Sequence, residues 1–245
     1  MKNTVFAMVL AAGLGTRLKQ FTLHKPKALL EINGKTLLEI ILHKLSQQGF
    51  TDVVINVHHF ADQIIDYLNH NNFDITIHIS DERNELLDTG GAILKALPLF
   101  PLDQPVMVHN VDIFTNFDLY MIRQQFIASE ADACLLVQNR LSSRKLLFDH
   151  NNHLIGWKNE KDSNFKWVGE AVEAFESLSF SGIHFFNPSI FRDITPGKRS
   201  IIDLYLHLAS HKKIFGLPAP EGIWFDIGKA EELPLIEKTF NIFYS

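Results

Sequence analysis

Cysteine is nearly absent from the sequence, since Cys134 is the one thiol among 245 residues. An intrachain disulfide is therefore excluded, and the position of Cys134 within the apolar run 133–137 predicts a buried thiol. Both observations favour a protein of the reducing cytosol. The alternative is a short signal peptide built from Met1, Lys2 and the apolar residues 5–12, whose removal would disrupt the glycine-rich segment described below.

Long hydrophobic runs and excess positive charge are also missing. No apolar stretch approaches the roughly 20 residues that a transmembrane helix needs, which excludes a membrane-spanning segment. The 23 Lys and Arg residues are outnumbered by 28 Asp and Glu residues, giving a formal net charge of −5. Because a chain with net negative charge repels phosphate polymers, we expect neither nucleic acid nor a membrane surface as a partner.

The sequence does have a large apolar fraction, with 46% hydrophobic residues including 20 Phe. This is enough to build a sizeable core and excludes a disordered chain. There is no internal repeat, low-complexity tract or linker. With a prior of roughly 150 residues per domain, we predict one domain over residues 1–245, with two halves at about 1–135 and about 136–245.

Strand-like and helix-like segments alternate along the chain. Strands are predicted at 5–11, 53–57, 75–79, 106–109, 145–148, 153–157, 178–186 and 223–227, and helices at 36–48, 61–69, 90–97, 118–129, 200–210 and 230–243. This alternation predicts an α/β fold, a Rossmann-like three-layer sandwich with a mostly parallel central sheet. Ligands bind such sheets at the carboxyl ends of the strands. The pattern weakens at 139–177, which we interpret as an excursion that covers the site.

A glycine-rich turn at residues 10–17 follows the first predicted strand. Gly13 and Gly15 have no Cβ, so main-chain N–H groups there can approach a phosphate closely. Two familiar nucleotide signatures are excluded: the dinucleotide pattern needs a third Gly where Leu18 stands, and the P-loop needs Gly-Lys-Ser/Thr after four spacers. An ordinary strand-to-loop turn remains the alternative for this segment alone.

Positive charge is concentrated directly after this turn. Residues 17–30 contain four cations and no acid: Arg17, Lys19, Lys25 and Lys27. A solvated basic loop is one interpretation. The other is a triphosphate site, because nucleotidyl transfer develops negative charge on the attacked phosphate and on the departing pyrophosphate, and cationic side chains offset that charge.

These residues resemble the signature of the sugar-1-phosphate nucleotidyltransferase family, which runs Leu-Ala-Ala-Gly-x-Gly-x-Arg, then Thr, then Lys-Pro-Lys. The matching residues are 10–17, Thr22 and 25–27. The family usually has Pro where Gln20 stands. The resemblance implies a fold of the nucleotide-diphospho-sugar transferase type and an enzyme that joins a nucleoside triphosphate to a sugar 1-phosphate. It also implies that the half at about 1–135 binds the nucleotide and that the half at about 136–245 binds the sugar.

The resemblance also implies roles for individual residues of the turn. Arg17 is expected to hold the triphosphate and stabilise the leaving pyrophosphate, and Lys27 to contact the phosphates around the reacting centre. The expected nucleotide contacts are Leu10, Ala12, Gly13, Gly15 and Thr16.

Two aspartates stand at the ends of predicted strands, Asp112 after an apolar strand and Asp226 within the segment Trp-Phe-Asp-Ile-Gly. Either residue alone could be a turn former. Mg²⁺ prefers hard oxygen ligands and is held by one or two carboxylates plus substrate phosphates. The resemblance implies that Asp112 and Asp226 are the two Mg²⁺ ligands, although Val111 replaces the usual Gly.

Further contacts follow from the same resemblance. The segment 87–92 is expected beside the nucleobase through Asp88, Thr89 and Gly90, and Thr89 could also cap the helix that follows. The expected substrate contacts are Asn110, Gly182, Lys158 and His58. For His58 a packed or hydrogen-bonded histidine pair with His59 is an alternative, and the sequence around Lys158 departs from the family pattern.

The predicted reaction is an in-line attack of a sugar-phosphate oxygen on the α-phosphorus, with Mg²⁺ as cofactor and pyrophosphate as the leaving group. The segment 87–98 resembles that of the uridylyltransferase members of the family, which implies UTP and N-acetylmuramic acid 1-phosphate as the substrates. The alternatives are a mannose-1-phosphate guanylyltransferase or another member of the family, a cytidylyltransferase acting on phosphocholine, and a non-catalytic nucleotide-sugar sensor. Apolar surface in the Phe-rich stretches would also allow a homodimer.

Overall fold

The structure is a computed structural model that describes residues 4–13, 15, 18, 21–228 and 233–243. The predicted α/β class with a mostly parallel central sheet is confirmed. The chain forms two compact units. The first contains the described residues of 1–86, 109–120 and 221–245, and the second contains residues 87–108 and 121–220. The predicted single domain, divided near residue 135, stays a prediction.

A parallel sheet forms the centre of the first unit. Its strands are β1 (Phe6–Leu10), β4 (Asp52–Val57) and β5 (Thr76–Asp81), with β4 between the other two. The middle of β4 is Val-Val-Ile, fully buried, as expected for a strand covered on both faces. Parallel pairing brings the carboxyl ends of all three strands to one edge of the sheet, where the predicted glycine-rich turn begins.

Helix α1 (Leu37–Gln47) and helix α2 (Ala61–His70) also belong to the first unit. The Thr36 side chain accepts a hydrogen bond from Glu39 N at 3.0 Å and so begins α1, the arrangement that a Thr-x-x-Glu sequence favours. The short strands β2 (Glu31–Ile32) and β3 (Lys35–Thr36) precede this helix. Their Asn33-Gly34 turn has positive φ at both residues, a hairpin signal that the sequence analysis missed.

A second ladder in the first unit joins distant parts of the chain. β6 (Val106–Asn110) carries the chain from the second unit into the first, and β7 (Ile113–Thr115) follows it. β7 pairs antiparallel with β14 (Trp224–Asp226), and Ile113 lies opposite Asp226. Helix α6 (Leu233–Phe243) is the last described element.

The second unit is a mixed sheet with helices. Its strands are β8 (Ala133–Gln138), β9 (Arg144–Phe148), β10 (Leu154–Asn159), β11 (Asn164–Trp167), β12 (Glu176–Phe186) and β13 (Ile214–Pro218), and its helices are α3 (Asp88–Ala96), α5 (Ile201–Leu208) and most of α4 (Leu119–Ala128). β8 pairs parallel with β13 and antiparallel with β12. The predicted excursion is the antiparallel set β9 to β11. Cys134 on β8 is buried, as predicted, and burial raises the pKa of its thiol to about 12.

Predicted and observed boundaries differ by one or two residues for most elements. The β2–β3 hairpin, β7, β8, β11 and β13 were not predicted as strands. The start predicted for the last helix falls partly on residues 230–232, which lie outside the described residues. No described helix is both long enough and apolar enough to cross a membrane.

Candidate active site

Asp112 and Asp226 come together at one end of the β7–β14 ladder. Asp226 lies opposite Ile113 in the ladder, and the N–H of Ile227 donates to the carbonyl oxygen of Asp112 at 2.8 Å. Two carboxylates that are 114 positions apart in the sequence are therefore held as neighbours by main-chain hydrogen bonds. The main chain therefore places both aspartates at the same end of the ladder.

The ammonium group of Lys27 lies beside one of these two aspartates. Its Nζ lies 2.5 Å from Asp112 Oδ2, and the Lys27 side chain is 8% exposed while that of Asp112 is 20% exposed. Lys27 belongs to a 3-10 turn, Lys27–Leu29, that follows Pro26 directly. The predicted neighbourhood of Lys27, Asp112 and Asp226 is therefore present in the first unit, and Lys27 contacts a carboxylate there.

The donor set of this cluster fits a magnesium ion. Both aspartates offer hard carboxylate oxygens, and Mg²⁺ completes its coordination with water and substrate phosphates instead of an all-protein cage. Within the part of the chain that the structure describes, no cluster of three or more His, Cys, Asp or Glu side chains forms such a cage.

The glycine-rich turn is held by Gly15 and Thr22. Gly15 has a φ of +64°, and a Cβ built there would lie 2.8 Å from Thr22 Cγ2. The Thr22 hydroxyl donates to the carbonyl oxygen of Gly15 at 3.0 Å, so the signature Thr closes the turn. Gly13 is exposed with no atom within 4 Å of an added Cβ. Its backbone is therefore open to a ligand.

Leu10 and Ala12 lie at the end of β1, on either side of Ala11. The sequence-predicted residues Thr16 and Arg17 lie outside the described residues.

A buried polar network under this turn was missed by sequence reasoning. The N–H of Ala11 donates to Asn56 Oδ1 at 2.8 Å, and Asn56 Nδ2 donates to Glu82 Oε1 at 2.8 Å. Asn56 is 3% exposed and Glu82 is 1% exposed. The network ties together the carboxyl ends of the three parallel strands. The sequence feature that could have indicated this network is Asn56, a polar residue within a mostly apolar strand.

Lys44 and His109 form another buried pair that the sequence analysis did not identify. Lys44 Nζ donates a short hydrogen bond to the carbonyl oxygen of Thr115 on β7. Burial lowers the pKa of Lys44 to about 7, although Asp118 acts to raise it. Burial and the nearby Lys44 lower the pKa of His109 to about 4, so this imidazole is neutral near pH 7. The signal for Lys44 was a lysine within the apolar face of α1.

Two predicted substrate contacts lie in the first unit. His58 Nδ1 donates to the carbonyl oxygen of Glu82 at 2.7 Å, so its ring is hydrogen-bonded to the main chain after β5. Asn110 ends β6, and its carbonyl oxygen accepts a hydrogen bond from His109 Nδ1 at 2.8 Å. Asn110 precedes Asp112 by two positions in the sequence.

The predicted nucleobase segment lies in the second unit. Asp88 is exposed with a φ of +60°, and its Oδ1 accepts a hydrogen bond from Thr89 N at 2.6 Å. Thr89 does not cap its own helix, since it lies inside α3 and its hydroxyl accepts from Ile201 N at 3.0 Å. The Thr89 hydroxyl therefore provides a hydrogen-bond acceptor for a main-chain N–H in the first turn of α5. A Cβ at Gly90 would meet the main chain of Ser200 at 2.9 Å, so this glycine permits close packing of the two helices.

Gly182 and Lys158 also belong to the second unit. Gly182 has a φ of +82° and lies within an irregularity of the β12–β8 pairing between Phe180 and His184. Such a bulge requires the extra conformational freedom of glycine. Lys158, on β10, forms an ion pair with Glu160 at 2.8 Å, and its side chain is 20% exposed.

Comparison with known proteins shows the family of this chain. The sequence model of the family described as "Nucleotidyl transferase" matches residues 6–240. The chain is 34% identical to an N-acetylmuramate alpha-1-phosphate uridylyltransferase of Caulobacter vibrioides, covering 91% of each protein. It is 31% identical to the enzyme of the same name from Neisseria meningitidis serogroup B, covering 91% of this chain and 92% of that protein.

A solved structure has the same fold. HddC from Yersinia pseudotuberculosis, in complex with GMP-PN, superposes with a TM-score of 0.75 at 24% sequence identity, covering 97% of this chain and 100% of that one. The match of the family model over residues 6–240 places the chain in a class of nucleotide-transferring enzymes. The chain belongs to the nucleotidyl transferase family, and its predicted class, a sugar-1-phosphate nucleotidyltransferase, is confirmed.

Proposed function

We propose that the protein couples UTP to N-acetylmuramic acid 1-phosphate and releases pyrophosphate. The observation that carries the proposal is the cluster of Asp112, Asp226 and Lys27, which combines two carboxylates suited to Mg²⁺ with one buried cation. The choice of nucleotide and acceptor is supported by the two bacterial relatives named as N-acetylmuramate alpha-1-phosphate uridylyltransferases.

Charge neutralisation and positioning are the chemistry that these residues offer. Mg²⁺ held by Asp112 and Asp226 would supply stabilisation of the negative charge on the phosphate oxygens. Lys27 adds a cation at the same place, and Arg17 is assigned to the triphosphate by its family signature. Main-chain N–H groups of the glycine-rich turn are suited to hold phosphates in line for the attack.

No general base is needed, because the attacking oxygen belongs to a phosphate that is already an anion. The imidazole nearest to Asp112 in the sequence is His109, which is buried and donates its Nδ1 proton to Asn110 O. Burial lowers its pKa to about 4. His109 is therefore suited to support β6 and not to exchange a proton with substrate.

The remaining site residues keep the roles that the family signature gives them. The proposed nucleotide contacts are Leu10, Ala12, Gly13, Gly15, Thr16, Asp88, Thr89 and Gly90. The proposed acceptor contacts are Asn110, Gly182, Lys158 and His58. The proposal also includes a cytoplasmic location and a homodimer, the latter to be checked by light scattering of the purified protein.

The test is pyrophosphate release in Mg²⁺ over a grid of nucleotides and acceptors. UTP, GTP, CTP, ATP and dTTP are each combined with the 1-phosphates of N-acetylmuramic acid, N-acetylglucosamine, mannose, glucose and heptose, and with phosphocholine. We expect the highest kcat/KM for UTP with N-acetylmuramic acid 1-phosphate. A preference for GTP with mannose 1-phosphate, or for CTP with phosphocholine, would replace the proposed substrates. Nucleotide binding without turnover would indicate a sensor.

A further inference from the structure

The ladder that carries Asp226 is short. It runs from Thr115 opposite Trp224 to Ile113 opposite Asp226, and among the described residues β7 and β14 form a two-stranded sheet of their own. An isolated pair of short strands is at best marginally stable in water. Contacts beyond the main-chain pairing must therefore help to hold β14 in place.

Ring packing is one such contact. The Phe114 ring lies 6.4 Å from the ring of Phe225 and 6.0 Å from the ring of Phe240 on α6. Apolar packing is non-directional, so it holds the strands together without fixing how far one strand is displaced along the other. This register matters, because a shift of one residue would turn every side chain of β14, including Asp226, to the opposite face.

Hydrogen bonds from two side chains fix the register next to the start of β14. Thr115 Oγ1 donates to the carbonyl oxygen of Ile223 at 2.7 Å, and Asn116 Oδ1 accepts from the N–H of Ile223 at 2.8 Å. We call Thr115 and Asn116 the clamp. Because hydrogen bonds are directional, bonds to both main-chain polar groups of Ile223 favour a single register.

The residues around the clamp are suited to it. A Cβ at Gly222 would lie 2.5 Å from Asn116 Oδ1, so the glycine leaves room for the amide to reach the main chain. Thr115 is 2% exposed, and its hydroxyl also accepts from the N–H of Phe117 at 3.2 Å. This second bond orients the hydroxyl so that its proton can point to the main chain of β14.

We infer that Thr115 and Asn116 are positioning residues for the metal site, because they fix β14 in the register that places Asp226 beside Asp112. The inference rests on the proposed role of these two aspartates as Mg²⁺ ligands. The clamp, its partner Ile223 and both aspartates belong to the first unit. Loosening the clamp should therefore weaken metal binding while the reacting groups stay intact.

The first measurement is amide hydrogen exchange, by NMR, in the metal-free variant Asn116→Ala. Its substitution removes one acceptor of the clamp at an exposed position. We expect exchange of the Ile227 N–H, at the far end of the ladder, to become roughly fivefold faster or more, the change expected when one hydrogen bond is lost. Asn116→Asp keeps the accepting oxygen and should restore slow exchange. The matched control is Asn71→Ala, which removes an exposed asparagine that donates to the carbonyl oxygen of Tyr67 at 2.7 Å.

The second measurement is metal binding. Mn²⁺ bound with UTP and without acceptor is determined by electron paramagnetic resonance, and activity is titrated with Mg²⁺. In Asn116→Ala we expect both to require roughly tenfold more metal, the lower end of the effect of groups that orient a metal ligand. The kcat at saturating Mg²⁺ should stay close to that of the wild type. Thr115→Val should have the same effect, and Thr115→Ser should not, because serine keeps the hydroxyl.

Unchanged exchange at Ile227 or an unchanged metal requirement in Asn116→Ala would contradict the inference. A fall of kcat alone would also contradict it, because Asn116 would then act on substrate. Asp226→Asn separates these results from the proposed function: if this variant binds Mn²⁺ as the wild type does, the proposed ligands are wrong and the inference fails with them. If the wild type uses other substrates than those proposed, exchange and Mn²⁺ binding with its own nucleotide still decide the inference.

Discussion

The backbone N–H of Ile227 donates a hydrogen bond of 2.8 Å to the carbonyl oxygen of Asp112. This bond extends the β7–β14 ladder by one step beyond the pair Ile113–Asp226. The main chain of the ladder therefore holds the two aspartates next to each other. Substituting either carboxylate should change the chemistry of the site without unfolding the ladder.

The first prediction concerns Asp226→Asn. The amide keeps the shape of the side chain but removes the negative charge that a divalent cation requires. We expect Mg²⁺-dependent pyrophosphate release to fall by about a hundredfold or more, since metal stabilisation contributes several kcal/mol. The thermal midpoint should stay close to that of the wild type. Asp193→Asn, at an exposed position, is the matched control; activity near the wild-type level in Asp226→Asn would overturn the assignment of two aspartate ligands.

The second prediction separates two effects of Lys27. In the structure the Lys27 ammonium group lies 2.5 Å from Asp112 Oδ2, so it competes with Mg²⁺ for that carboxylate oxygen. In Lys27→Met we expect half-maximal activity at a lower Mg²⁺ concentration, because the competitor is gone. We also expect kcat to fall by roughly tenfold or more, because a cation near the phosphates is lost. Lys35→Met removes an exposed lysine outside the signature and serves as the control.

A Mg²⁺ titration at saturating UTP measures both quantities. A higher Mg²⁺ requirement in Lys27→Met would indicate that Lys27 supports metal binding instead of competing with it.

The sequence predicted most strands and helices because their apolar periodicity is local. It also located Lys27, Asp112 and Asp226, since each belongs to a recognisable motif. What it could not predict depends on contacts between distant segments. β7 has three residues, too few for a periodic pattern, and it is defined by its pairing with β14. Thr89 looked like a cap for its own helix, yet its partner lies 112 positions away.

The third prediction concerns the buried network of Asn56 and Glu82. Asn56→Asp places a second carboxylate 2.8 Å from Glu82 Oε1 and turns a donor into an acceptor. We expect the free energy of unfolding to fall by about 2 kcal/mol or more, since a buried carboxylate pair cannot be fully ionised. Glu82→Gln keeps an oxygen that can accept from Asn56 Nδ2, so its free energy of unfolding should fall less than that of Asn56→Asp.

Urea unfolding at pH 5 and pH 8 measures this loss. Asn56→Asp should be less destabilising at pH 5, because one carboxyl of the pair can be protonated there. The network also holds the N–H of Ala11, so KM for the nucleotide should rise in the same variant. Equal losses of stability at both pH values would mean that the two carboxyls do not interact.

The fourth prediction concerns the cap that α3 provides for α5. Thr89→Val has the same shape as threonine but removes the oxygen that accepts from Ile201 N. We expect the free energy of unfolding to fall by about 1 kcal/mol, the usual contribution of a helix cap. The thermal midpoint should fall by about 2–4 °C for a chain of this size. Calorimetry provides the measurement. Thr76→Val, on exposed β5 surface, should change the midpoint little, and a similar fall there would point to a general effect of valine.

The fifth prediction is a dependence of stability on pH that arises from Lys44. Its pKa is lowered by burial from 10.5 to about 7, so between these values the unfolded chain binds more protons than the folded one. The free energy of unfolding should therefore rise with pH above 7, by at most about 1.4 kcal/mol per pH unit. Below pH 7 Lys44 is protonated in both states, so burial of its charge destabilises the folded protein to the full extent there.

Urea unfolding at steps from pH 7 to 8.5 measures the slope, and Lys44→Met should flatten it. The titration stops at pH 8.5 because Cys134 adds an opposite effect above it. The pKa of the buried thiol is raised to about 12, so near pH 9 the thiol ionises in the unfolded chain alone and the folded state loses stability. Lys44→Met also removes the donor to Thr115 O, so β7 should be held less firmly and the Mg²⁺ requirement should rise. Parallel slopes in wild type and variant would mean that Lys44 stays protonated in the folded protein, with Asp118 outweighing the effect of burial.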